Sequence, residues 1–308
     1  MKSKTLKTLS TLGMLIVLAS LVFLFEASET KKKVLPIERE IYSLVLPTKL
    51  DFCGEEVPID DPEVMERFDR ELLSNAFFES NNIIIYKRMK RHFGQIEKLL
   101  KEEGMPVDFK YLAVAESGLA NVVSPAAAAG FWQFIPETGR RYGLEINDEV
   151  DERYQLEKAT RAACTFLKHM KADLGSWTLA AASYNCGMGA IKQSQKFQKV
   201  DSYYDLFINQ ETSRYLFRIV ALKEILNAPE KYGYKMADVA GYPTIPTTDE
   251  TVSGSVPNWS DWAQAHGVNY KVLRTFNPWI KKTLLTNKLG KTYTVQLPKD
   301  KAKFLHGK

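Results

Sequence analysis

The sequence predicts a mainly α-helical domain followed by a small βααβ module. From Asp61 to Leu226, apolar residues recur at helical spacing in one segment after another, the pattern of helices that bury one face. After Pro229 the texture changes to Gly, Pro and Thr, as in a linker. The tail then holds two short helical patterns and a closing segment in which Tyr293, Val295 and Leu297 alternate, the period of a half-buried strand. A chain of 308 residues is long enough for one large helical domain and a small second one.

At the N-terminus, Lys2, Lys4 and Lys7 precede an apolar run from Leu9 to Phe25, broken by Ser10, Thr11, Gly13 and Ser20. Such a run is an export signal or a single membrane anchor. The F-E-A-S-E-T beyond it makes a poor small-x-small cleavage site, so residues 1–27 read as an uncleaved anchor with the membrane as partner. Residues 28–60, with Pro36, Pro47 and Pro58, read as an extended tether or as a packed irregular arm. The formal charge is +5, and much of it lies in Lys2, Lys4, Lys7 and Lys31 to Lys33. The rest is nearly balanced, which gives no nucleic-acid surface. Cys53, Cys164 and Cys186 show neither CxxC nor Cys/His metal spacing, and Cys164 sits on an apolar helix face.

Asp61 and Pro62 form an N-cap and first-turn pair, with Val64, Phe68, Leu72 and Leu73 following at helical spacing until Asn81 and Asn82 interrupt. A second helix runs from Ile83 to Gly104. Its Lys87, Arg88 and Arg91 read as a solvated outer face, and His92 as a half-buried helix histidine. Pro106 and Asp108 start a third helix, in which Phe109, Leu112 and Ala113 put Glu116 next on the buried face. A carboxyl in such a place has a partner or stays protonated, and the protonated form is what a general acid needs near neutral pH. The bland alternative is a structural Glu paired with Lys or Arg. Gly118 ends the helix.

Residues 118–130 permit a short helix with Ser124 as cap, Pro125 first and Gly130 closing it. Phe131, Trp132 and Phe134 read as core or as a cleft wall, with Gln133 the polar exception. After a helix through Arg140 and Tyr142, Asp148, Glu149, Asp151 and Glu152 form an acidic loop. Without an Asx-rich, glycine-spaced pattern it reads as solvated charge and helix capping rather than as a metal site. A long helix carries Leu156 to Leu174, and a helix over 176–186 delivers Tyr184 and Asn185 before Gly187. Glu211 and Thr212 begin a last helix, with Tyr215 one turn on.

Four blocks now stand in order: E-S at Glu116 and Ser117, G-F-W-Q-F with Thr138 at 130–138, S-Y-N-C-G at 183–187, and E-T-S-R-Y at 211–215. At these residues the sequence resembles the lysozyme-like lytic transglycosylases, in particular their membrane-bound D-type branch. The likeness covers most of 60–230 and implies a lysozyme-like helical domain over 61–229. It further implies cleavage of the peptidoglycan glycan between N-acetylmuramic acid and N-acetylglucosamine, leaving 1,6-anhydromuramic ends, with Glu116 catalytic and with neither cofactor nor metal. On this resemblance Ser117, Ser124 and Tyr215 orient the acid or touch sugar, and Gln133, Tyr184 and Asn185 line the glycan cleft. The family has a loop at 118–130, with a glycine where this chain has Ala127, and an alanine where it has Cys186. Beyond a linker over 230–250, residues 251–300 resemble a divergent LysM glycan-binding module. A small stabilising cap is the other reading. Two other functions stay open: a hydrolytic goose-type muramidase, which needs a second carboxylate, and a non-catalytic peptidoglycan-binding protein, which does not need Glu116.

Overall fold

The helix that organises the fold is buried almost all round. Along Gln210–Asn227, the residues Tyr215, Leu216, Phe217, Ile219, Val220, Ala221, Leu222, Ile225 and Leu226 are all in the core. The computed structural model describes residues 43–236 and 239–306. The Leu9–Phe25 run, and with it the predicted anchor, lies outside the described residues. Among those, no helix is long and apolar enough to cross a membrane.

From Leu44 onward the chain is one compact unit, mainly α with a C-terminal βααβ module. A hairpin of β1 (Leu50–Phe52) and β2 (Glu55–Val57) comes first. Helix α1 (Pro62–Ala76) is capped by the Asp61 carboxylate, which accepts from the backbone N–H groups of Glu63 and Val64. It is followed by α2 (Glu79–Glu102), α3 (Phe109–Ser117), α4 (Pro136–Arg141), α5 (Leu156–Leu174), α6 (Trp177–Cys186), α7 (Met188–Gln198) and α8 (Gln210–Asn227). Helices α1, α3 and α6 pack around α8. In α6, Ala180, Ala181 and Ala182 are fully buried, and side chains that small let α5 and α8 approach closely.

In the module, β3 (Thr247–Val252) pairs antiparallel with β4 (Tyr293–Pro298), Val252 opposite Tyr293, and α9 (Trp259–Ala265) and α10 (Tyr270–Phe276) lie between them. Asn277 is fully buried and ties α10 to β4, donating to the carbonyls of Leu273 and Gln296 and accepting from Gln296 N at 2.8 Å. The module core of Trp259, Leu273, Trp279, Ile280, Val295 and Leu297 also takes in Val150 from the helical domain.

Several expectations change. Of the two readings of the arm, tether or packed, the described part from Leu44 is packed: Leu44, Leu50, Phe52 and Val57 enter the main core, and Glu55 caps α6 by accepting from Trp177 N and Thr178 N. Asn82 lies inside α2 rather than before it, its amide nitrogen donating to Asn75 O and to the Tyr234 hydroxyl. The predicted linker is not free chain either, since Tyr232, Tyr234 and Met236 are buried in the main core. Nor is the basic face of α2 simply solvated: Tyr242 N donates to Lys87 O, Arg91 Nε donates to Pro243 O, and the Arg91 guanidinium lies over the Tyr242 ring. No helix forms over 118–130, where left-handed backbone at Leu119 and Ala127 is incompatible with one.

Candidate active site

Glu116 sits in the last turn of α3, which buries Phe109, Leu112 and Ala113 and ends at Gly118 in the left-handed conformation, φ 56°. Arg88 holds that end, its Nη1 donating to Gly118 O at 2.9 Å. The Glu116 side chain is half-buried. Burial pushes its carboxyl up to about 7, against the downward pull of the Tyr215 hydrogen bond and the Arg218 guanidinium and with a further upward push from Glu211. Tyr215, only 2% exposed, donates its hydroxyl proton to Glu116 Oε1. Burial and the nearby Glu116 charge hold the phenols of Tyr215 and Tyr184 well above the usual tyrosine range, so both remain neutral donors.

The loop over 118–135 wraps the helix end. Ser117 Oγ donates to Phe131 O at 2.8 Å and to Ala113 O at 3.0 Å. Tyr184 donates to Trp132 O at 2.6 Å. Trp132 itself is fully buried and donates its indole N–H to Thr160. Inside the loop, Ser124 Oγ accepts from Ala128 N, and Gln133 Nε2 donates to Gly130 O and Val122 O. Ala127, at φ 59°, and Gln133, at φ 48°, are left-handed, a conformation glycine adopts without strain. Gly130, at φ 81°, is pressed so close to the next segment that a Cβ would lie 2.0 Å from Arg153 O.

The structure therefore brings Glu116, Ser117, Tyr184 and Tyr215 to one place. Asn185 belongs to an adjoining network, donating to Glu211 Oε1 at 3.3 Å and accepting from Thr212 Oγ1 at 2.8 Å. The hydroxyl of Ser124 and the amide nitrogen of Gln133 are engaged with the loop backbone.

Residues that sequence reasoning missed support this arrangement. Asp151 and Glu152, expected at the surface, are buried. Asp151 clasps Arg153 through both carboxylate oxygens, and Glu152 pairs with Lys158. Arg153 Nη1 donates to Ala127 O at 2.6 Å and Phe134 O at 2.9 Å. No spacing signal marks a buried arginine that follows a run of acids. His92 is set edge-on against Phe131, 4.9 Å between ring centres, and burial lowers its pKa to about 4, so it is neutral. Among the described residues no group of His, Cys, Asp and Glu forms a metal site.

Residues 95–207 match the family model "Transglycosylase SLT domain", and residues 248–301 match "Soluble lytic transglycosylase C-terminal LysM-like domain". The chain is 30% identical over 249 residues to Membrane-bound lytic murein transglycosylase D of Escherichia coli K12, an alignment covering 76% of this chain and 52% of that protein. The protein of the same name from Escherichia coli O6:H1 gives the same figures. The chain thus spans about half the length of these relatives. Among solved structures, an inactive mutant of the lytic transglycosylase Slt from Pseudomonas aeruginosa is 18% identical with a TM-score of 0.36, covering 49% of this chain and 25% of that one.

Proposed function

We propose that this chain is a lytic transglycosylase acting on the glycan strands of peptidoglycan, with Glu116 as acid and then base. The observation that carries the reading is a half-buried carboxyl with a pKa raised to about 7 and a buried tyrosine hydroxyl donating to it. A group so placed keeps its proton until a basic atom is presented and is stabilised by a ready donor once it has given the proton away.

In the proposed reaction, Glu116 protonates the glycosidic oxygen between N-acetylmuramic acid and N-acetylglucosamine. The bond from that oxygen to muramic C1 breaks, and the muramic N-acetyl carbonyl stabilises the cation at C1. The Glu116 carboxylate, held by Tyr215, then takes the proton of the muramic C6 hydroxyl, whose oxygen closes onto C1. Glu116 ends protonated, as it began, and the product is a 1,6-anhydromuramic end. Attack from within the same sugar has the high effective concentration of a tethered nucleophile. One carboxyl thus suffices, whereas hydrolysis ordinarily divides the work between two. Ser117, Tyr184, Ser124 and Gln133 shape the wall beside the acid through the loop bonds described above, and Asn185 contacts the sugar from the α6 end.

We further propose that the Leu9–Phe25 run anchors the chain in the inner membrane of a Gram-negative cell with the enzyme in the periplasm. Fractionation tests this: full-length protein should pellet with membranes, and a soluble form beginning near Glu29 contradicts it. The catalytic assignment is tested by Glu116→Gln, which should abolish release of soluble fragments from purified sacculi while the folded protein still sediments with them. Undiminished lysis by Glu116→Gln overturns the site.

A further inference from the structure

We propose that Arg153 is a positioning residue for the glycan cleft and that the docked C-terminal module holds it in place, making module and cleft one working unit. This rests on the functional reading above. Arg153 is 7% exposed and commits its whole guanidinium fork. Nε and Nη2 grip Asp151, and Nη1 reaches Ala127 O and Phe134 O. Those two carbonyls bracket the segment carrying Phe131, Trp132 and Gln133. The same segment is fastened on its other side to the Glu116 helix end by Ser117 and to α6 by Tyr184. The cleft wall is thus suspended between Arg153 and the acid. A planar fork with several donors makes such a four-way fastening, and a single ammonium does not.

The module supplies the other end. Residues just before Arg153 dock on it through a single antiparallel bridge: Val150 pairs with Ile280, Asp151 N donates to Trp279 O at 2.9 Å, and Lys281 N donates to Glu149 O at 2.8 Å. The Glu149 carboxylate accepts from Thr286 N and Oγ1, and Glu145 takes Lys291 and the Tyr293 hydroxyl. Asp151 therefore has its backbone on the module and its side chain on Arg153. If the module lets go, the carboxylate that orients the fork moves with it. A module that served only as a tethered glycan binder would not need main-chain pairing to the segment that fixes the cleft wall.

The test is the pH profile of full-length Arg153→Lys on soluble glycan strands. The groups facing Glu116 are Tyr215, Arg218 and Glu211 from α8 and Tyr184 from α6, and none of them changes in this variant. A Glu116 that must begin protonated gives a rate that falls as pH rises through its pKa. If the wall loosens and water reaches the carboxyl, that alkaline limb should move to lower pH by about one unit or more, with kcat falling about tenfold or more. Arg161→Lys loosens a different fork, gripping Glu102, Glu103 and Glu157, and should leave the limb in place. Glu149→Ala, which keeps Arg153 and weakens only the module clasp, should move the limb in the same direction and carries the test if Arg153→Lys does not fold. An unmoved limb and unchanged kcat in Glu149→Ala, or in folded Arg153→Lys, overturns the inference even if the melting temperature drops. A wild-type chain with no lytic activity overturns the proposed function and this inference with it.

Discussion

Glu116→Gln should leave stability unchanged at acid pH and stabilise the protein relative to wild type increasingly from pH 4.5 to about 7, with the full gain kept above that. The wild-type carboxyl has a pKa of about 7 when folded against 4.5 unperturbed, so the folded state binds the proton more tightly than the unfolded state does. At pH 4 and below both states are protonated, and the neutral glutamine, which still offers Tyr215 an acceptor, is a close substitute. As pH rises from 4.5 the unfolded carboxyl ionises first, and wild-type stability drops until the folded carboxyl also ionises near pH 7. At about 1.4 kcal/mol per pH unit the gap caps the loss at about 3 kcal/mol, which glutamine never suffers. Chemical denaturation of both proteins at pH 4 and pH 8.5 measures it. The stability of Glu116→Gln relative to wild type should grow by about 2 to 3 kcal/mol between those pH values. Parallel pH dependence of the two proteins would refute a raised Glu116 pKa, and with it the argument that this carboxyl holds its proton near neutrality.

Tyr215→Phe removes the donor that lowers the Glu116 pKa, so the alkaline limb should shift to higher pH. Because a hydrogen bond to a charged group contributes about 1.5 to 3 kcal/mol, kcat should fall about tenfold to a hundredfold, as read from initial rates on sacculi. Gly130→Ala must place a Cβ 2.0 Å from Arg153 O at φ 81° and should cost about 3 kcal/mol in denaturant unfolding. At Gly187 the space for a Cβ is open and the φ of 84° is the obstacle, so alanine there should cost about 1 to 3 kcal/mol. Trp132→Phe loses the indole bond to Thr160 inside a closed core and should cost about 1 to 3 kcal/mol, visible as a lower thermal midpoint.

What the sequence revealed, and what it hid, follows from how far each interaction reaches along the chain. The helices were legible because burial repeats every three to four residues: Val64, Phe68 and Leu72 in α1, and Phe109, Leu112 and Ala113 in α3, enter the core as spacing suggested. The same spacing put Glu116 on the inner side of its helix. The βααβ module was legible from two short apolar patterns and one alternating strand, with β3 beginning at Thr247, inside the expected linker over 230–250. Tyr215, which donates to Glu116 from 99 residues away, entered only through resemblance. Arg153 was invisible because its partners are two carbonyls and an aspartate in a run that reads as surface acid. The Leu44–Val57 arm could be read as tether or as packed arm, and the Tyr232–Met236 stretch fell in the expected linker, because neither shows a helix or strand period, whereas a few apolar residues in each suffice to pin them to the core. At 118–130, propensity allowed a helix, but backbone carbonyls captured by Arg153 and Ser117 hold a left-handed loop instead.

The proposed chemistry depends on one sugar hydroxyl doing what water does in hydrolysis, and product analysis reads this directly. Purified full-length protein digesting sacculi in 18O-labelled water, followed by mass spectrometry of the released muropeptides, should yield 1,6-anhydromuramic ends that lack one water and carry no label. Reducing muramic ends bearing 18O as the primary product would contradict internal closure onto C1 and require a second group at the site to activate water.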